Sequence, residues 1–200
     1  MRYLVRVANE RNMQPSDVKS LASSSYELVR QYGADVGNLR VSSTAIELDL
    51  LLSSKDSLQM AIHDLEKLGP ILTVRELDTP SPQADPDHAI RKGLGYFNEE
   101  RYWESHEALE YAWRRAVGPE KELLQGIILL AAALVHLQKN EHDIALSVLA
   151  RARDKLSPHH GEHFGVSVDI ICTTLSRMIA AKQPAFFRLE VRPYSNRAAA

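Results

Sequence analysis

A disulfide scaffold is excluded at once, because Cys172 is the only cysteine in the chain. A lone thiol cannot staple its own chain and suits a reducing cytoplasm, which is the expected location. Long apolar runs are missing too. The longest, GIILLAAALV at residues 126–135, is about half of the roughly 20 residues a bilayer-crossing helix needs, so it reads as a buried core helix. The opening MRYLVRVANERN has no extended apolar stretch and is not expected to be a signal peptide. Neither sign of charge dominates: the formal net charge is −2 and the pI is near 6.4. No global basic field therefore draws in nucleic acid or an anionic membrane. A Gly-rich phosphate loop is absent, as is any aromatic pair placed as RNA-binding sheets need it. What remains is an ordinary globular balance, 44% apolar and 25% charged, which argues against disorder.

Proline is concentrated where it divides the chain. Between Leu77 and Ala89 the run LDTPSPQADPDHA carries Pro80, Pro82 and Pro86, through which neither a helix nor a central strand can pass. This sets an expected N-terminal domain at residues 1–77, a linker at 78–88, a helical domain at 89–183 and an extended tail at 184–200. The first domain alternates strand and helix patterns. Strands are expected at Arg2–Ala8, Leu39–Ser42, Ala45–Leu52 and Ile71–Leu77, with helices at Pro15–Tyr32 and after Ser54. The order βαββαβ implies a ferredoxin-like α+β domain, two helices covering one face of a four-stranded antiparallel sheet. That fold assigns no activity, and a homodimerisation or docking role is the expectation here.

After the linker every segment has a helical pattern, giving an all-α bundle. Helices are expected at Pro86–Glu99, Tyr102–Val117, Lys121–Lys139, His142–Leu156 and His163–Lys182, with Ser157 and Pro158 opening the last. A weak self-similarity at a shift of forty residues suggests turn-then-helix units resembling tetratricopeptide pairs. The tail AFFRLEVRPYSN alternates weakly and could pack back as a strand.

The second helix carries the chemistry-bearing residues. Placed at ~100° per residue, Trp103, His106, Glu107, Glu110 and Trp113 share one stripe, with Leu109 beside it and Glu104 turned away. Two indoles are expected to face a neighbouring helix rather than water, which would bury the histidine and the acids with them. On the next helix, Gln125 and His136 are the polar exceptions on an apolar face, and antiparallel packing would set them opposite.

The segments FNEERYWESHEALEYAWR and LLQGIILLAAALVHLQKN resemble the helical family known as domain of unknown function 309. The matching positions are Phe97, Asn98, Tyr102, Trp103, Glu104, His106, Glu107, Leu109, Glu110, Trp113, Gln125, Gly126, Ile128, Ala131, His136 and Asn140. Lys139 stands where the family has glycine. The resemblance runs from about residue 87 to 156 and implies an α-helical bundle with no established activity.

Three readings of the cluster stand side by side. A divalent metal (zinc, iron or manganese) could be held by His106, Glu110 and His136, although neither the H-E-x-x-H nor the di-iron spacing is present. His106 or Glu107 could act as a general base between tryptophan walls, but no nucleophile accompanies them in a recognisable context. The third reading is a satisfied polar network joining Glu110 to His136 and Glu107 to Gln125. The leading expectation is a binding or interaction protein whose Trp/Glu/His cluster holds a ligand or partner segment. The alternative is a metal-dependent or acid–base enzyme. His159, His160 and His163 form a further cluster, Arg188, Arg192 and Arg197 could form a small anion patch, and Cys172 reads as core.

Overall fold

Alternation along the first strand sorts its side chains onto two different surfaces. In β1 (Arg2–Ala8), Tyr3, Val5 and Val7 enter an apolar cluster, while Arg2, Leu4 and Arg6 take the opposite face. The structure, a computed structural model, describes residues 1–77 and 85–193. Within it β2 (Ala34–Val41), β3 (Ala45–Leu52) and β4 (Ile71–Glu76) join β1 in the order β2-β3-β1-β4, every neighbouring pair antiparallel. Helix α1 (Val18–Val29) and helix α2 (Leu58–Leu65) close the cluster with Leu21, Val29, Ala61 and Leu65.

Two elements differ from the sequence pattern. The expected helix at 15–32 is α1 with a 3-10 turn at each end, Pro15–Asp17 and Arg30–Tyr32. Gly33, at φ 66°, ends the second turn in the left-handed region that glycine enters without cost. Strand β2 starts earlier than expected because a bulge between Gly37 and Arg40, with Asn38 at φ 48°, lets pairing continue past the glycine.

The second face of the sheet is charged and buried. Arg6 lies opposite Glu47 in register and bonds it at 2.9 Å, and Arg40 stands 3.3 Å from the same carboxylate. Asp49 accepts from Arg2 at 3.0 Å and from the Asn38 amide at 2.7 Å. Arg40, Glu47 and Asp49 are only 2%, 1% and 1% exposed. At that depth each charge needs its counter-charge, so this ladder ties the strand register to ion pairing.

The second unit is helical, with α3 (Pro86–Asn98), α4 (Tyr102–Trp113), α5 (Gly118–Gln138), α6 (His142–Leu156) and α7 (Val168–Ala181). Asp85 caps α3 by accepting from the His88 amide, and Pro86 occupies its first turn, where a missing N–H costs nothing. Leu123, Leu124, Ile127, Leu130, Ala131, Ala133 and Leu134 are all buried, so α5 is apolar on nearly every side. Among the described residues, no helix is long and apolar enough to cross a membrane.

The last helix begins later than expected. Ser157 ends α6, and residues 162–167 form a small hairpin of β5 (Glu162–His163) and β6 (Val166–Ser167). Gly161 and Gly165, both at φ 78°, flank and turn it. Ser167 then caps α7 by accepting from the Ile170 amide. Beyond α7 the chain runs irregularly through residue 193 rather than as a strand, held by Phe186, Phe187 and Leu189 against the helical core. Pro80 and Pro82 of the expected linker and Arg197 of the tail lie outside the described residues.

Two glycines set how closely the helices approach. A Cβ on Gly126 of α5 would stand 2.6 Å from Leu156 Cγ of α6, and one on Gly93 of α3 would stand 2.7 Å from Leu109 Cγ of α4. Gly126→Ala gains about 1 kcal/mol of helix propensity. It overpacks a formed contact at a cost of about 1–3 kcal/mol. We expect a net loss of roughly 1 kcal/mol, read as a lower urea midpoint at unchanged slope. A midpoint at or above that of the unmodified chain would show that the α5–α6 contact yields freely.

Candidate functional site

The rotation of α4 decides which of its residues can act. Its buried positions are Tyr102, Glu104, Ser105, Leu109 and Ala112. Tyr102, Ser105, Leu109 and Ala112 follow the three-four spacing of a packed helix face, which fits against α3 where Gly93 leaves room. The expectation that the tryptophan stripe faces inward is therefore corrected by roughly a third of a turn. Small and medium side chains take the closest contact, and the two indoles sit at its edge, half-buried.

Two acids change places accordingly. Glu104, expected to point away, is 6% exposed; Glu107, expected inside, is exposed. Glu104 tolerates burial because Arg101, one turn earlier, donates to both its oxygens at 2.5 and 3.1 Å. Arg101 is itself held by Glu99 at 3.1 Å and by the Tyr96 ring, 4.1 Å from its centroid. The Arg-x-x-Glu spacing at the helix start is the sequence signal for this pair.

The half-buried stripe consists of Trp103, His106, Glu110 and Trp113, with Glu107 at its outer side. Trp113 packs on the helical core, its indole nitrogen is buried with no acceptor among the described residues, and the Lys121 ammonium lies 4.6 Å from its ring centroid. Glu110 bonds Arg114 at 3.0 Å, one turn on. Burial pushes the His106 imidazole below the ordinary histidine value, against the opposing pull of the Glu110 carboxylate.

The expected partners on α5 lie elsewhere. His136 Nδ1 and Glu141 Oε2 are 2.5 Å apart, so this histidine is tied to the α5–α6 turn and not to Glu110. Gln125 lines a cleft of about 680 Å³ with Glu122, Leu129, Arg151, Lys155 and His159, beside the Lys155–Glu122 ion pair. The helical period sets Gln125 and His136 on one side of α5, but which neighbour each meets depends on packing between helices.

Other motif positions have architectural work. Phe97 and Tyr102 are fully buried and meet edge to face at 5.0 Å. Burial, with the Glu100 charge adding to it, pushes the Tyr102 hydroxyl well above the usual phenol range. The Asn98 carboxamide bonds the backbone of Leu189 on both sides, at 2.8 Å each. Its role was missed from sequence, because no spacing links residues so far apart.

Among the described residues, no group of three or more His, Cys, Asp or Glu side chains is placed to hold a metal ion. The histidine loop is internally bonded instead: His160 meets Asp169 at 3.1 Å, His163 meets the His160 carbonyl, and His159 packs on the His163 ring. Asp169 accordingly sits below the usual carboxylate range, lowered first by the Gly161 amide and then by His160. Burial raises the Cys172 thiol, which lowers its thiolate fraction.

Residues 90–148 match the family model of a domain of unknown function (DUF309). The matched stretch runs from α3 into α6 and contains the whole of α4, as the motif implied. No curated protein matches the chain.

The two tryptophans of the chain both lie on α4, so its indole emission reports on this stripe alone. His106 stands one turn from Trp103 on the same face, and its protonation should alter that emission. The folded state favours neutral His106, so its contribution to stability is present above the ordinary value near 6.5 and is lost as pH falls from there through the lower folded value. We expect an emission transition with a midpoint below 6.5 that His106→Gln removes. A midpoint at or above 6.5 would contradict the burial of this imidazole.

Proposed function

We propose that the chain is a binding protein whose helical unit recognises a ligand or partner segment through Trp103, His106, Glu110 and Trp113. One observation carries this reading. In a bundle that buries Phe97 and Tyr102 completely, two indoles and an uncharged imidazole are left half-exposed on one stripe. Amphipathic rings at a partly open surface supply contact area at low conformational cost, as they do in recognition surfaces generally. Exposed Glu107 and the Glu110–Arg114 pair rim the stripe with charge, which would fix the orientation of an apolar group laid across it.

The reading predicts a loss on truncating Trp103. A fraction of native cell extract that shifts the emission of the unmodified chain should bind a folded Trp103→Ala variant at least tenfold more weakly. Trp113 remains as the reporter in that variant. Equal binding by both proteins, or no fraction that perturbs the emission, would overturn it.

The sheet unit is proposed to bring two copies together in the cytoplasm. Edge strand β4 supports this, since Leu72 and Val74 are 46% and 39% exposed on a strand that, among the described residues, pairs on one side only. Light scattering should then give the mass of a dimer for the chain and of a monomer for Leu72→Lys/Val74→Lys. A monomeric unmodified chain would remove this role.

A further inference from the structure

The C-terminal segment is bound in the manner of a peptide ligand. It leaves α7 through a turn in which Lys182 adopts φ 53° and the Gln183 amide reaches back to the Met178 carbonyl at 3.1 Å. Pro184 follows, and from there to residue 193 the backbone belongs to no helix or sheet. Its fixing is almost all by side chains of other elements. Phe186 stacks on Tyr102 with centroids 5.9 Å apart, Phe187 meets Phe97 edge-on at 5.7 Å, and Leu189 is 5% exposed.

The Asn98 contact is what distinguishes this from ordinary tail packing. Its amide nitrogen donates to the Leu189 carbonyl and its oxygen accepts from the Leu189 amide, both at 2.8 Å. A carboxamide that pairs with both backbone groups of one residue reproduces the pairing a neighbouring strand would offer. It reads extended backbone, whatever the side chain. Sequence is read separately, by the aromatic floor of Phe97 and Tyr102. Further along, the Arg192 amide donates to the Gly165 carbonyl at 2.8 Å, and the Arg192 guanidinium meets Glu162 at 3.1 Å. Backbone bonds for affinity and pockets for alternate side chains are the division of labour in extended-peptide recognition.

We propose that the α3–α4 junction is a receptor groove for extended peptides of the form aromatic-aromatic-x-leucine, occupied in this chain by its own residues 186–189 as a displaceable strap. The occupant is a peptide of that pattern because the strap itself displays the fit: two rings on Phe97 and Tyr102, a clamped leucine two positions later, and exposed Arg188 and Glu190 between and after them. This groove is formed by the start of α4 and the end of α3, and its occupancy does not depend on the Trp103–Trp113 stripe serving as a recognition surface.

Two measurements on the full chain test it. In hydrogen exchange of the unmodified protein, the Leu189 and Arg192 amides should open at least a hundredfold more readily than buried amides of α5. Equal protection would make the segment a fixed part of the core and overturn the proposal. In the second, Phe186→Ala/Phe187→Ala/Leu189→Ala releases the strap from the intact chain. It should stay folded by circular dichroism and bind a labelled QPAFFRLEVRP peptide one to one. Adding Asn98→Ala should weaken that binding on the order of tenfold, as expected for two lost backbone hydrogen bonds. A released chain that unfolds, or folds without binding the peptide, overturns the proposal. So does binding that Asn98→Ala leaves unchanged.

Discussion

The close approach of α3 to α4 at Gly93 is the contact on which the helical unit depends. With no Cβ there, Leu109 and the Ser105 carbonyl come against the α3 backbone on the packed face of α4. That rotation buries Tyr102, Ser105, Leu109 and Ala112 and leaves both indoles at the margin. It also carries Glu104 inward, where the neighbouring Arg101 makes its charge tolerable. Packing sets the rotation, and the Arg101–Glu104 pair satisfies the charge that the rotation buries.

The same order of cause holds in the sheet unit. Apolar side chains on one face of the strands meet α1 and α2, and period two then forces Arg2, Arg6, Arg40, Glu47 and Asp49 onto the other. Glu47 faces Arg6 and Arg40 in register, and Asp49 reaches Arg2 from one position along the same face. A slip of one residue would put those charges into the apolar cluster, which makes the ladder a determinant of register as much as of stability.

The helical motif separates into two kinds of residue once both are seen together. Phe97, Asn98, Tyr102, Glu104, Leu109 and Gly126 hold helices and the C-terminal segment in place. Trp103, His106, Glu110 and Trp113 hold nothing so completely, and their half-exposure is the reason to seek a ligand there. A polar residue in a motif is thus weak testimony to chemistry until its contacts are known: Glu104 matched the motif as well as Glu110 did.

The alternating and helical periods were enough to place the sheet unit, the helices and the buried character of α5, because they depend on neighbours a few residues apart. The match to a domain of unknown function was legible for the same reason, its motif lying within two adjacent helices. Residues at positive φ moved the boundaries: Gly161 and Gly165 around the hairpin before α7, and Asn38 in the bulge of β2. What only the tertiary structure decided was orientation. The period groups Trp103, His106 and Glu110 on one face of α4, but which face packs is settled by the shape of α3, where one glycine admits Leu109. Likewise, Leu189, which bonds Asn98, lies 91 positions away, a distance over which no local pattern carries information and only the folded chain brings partners together.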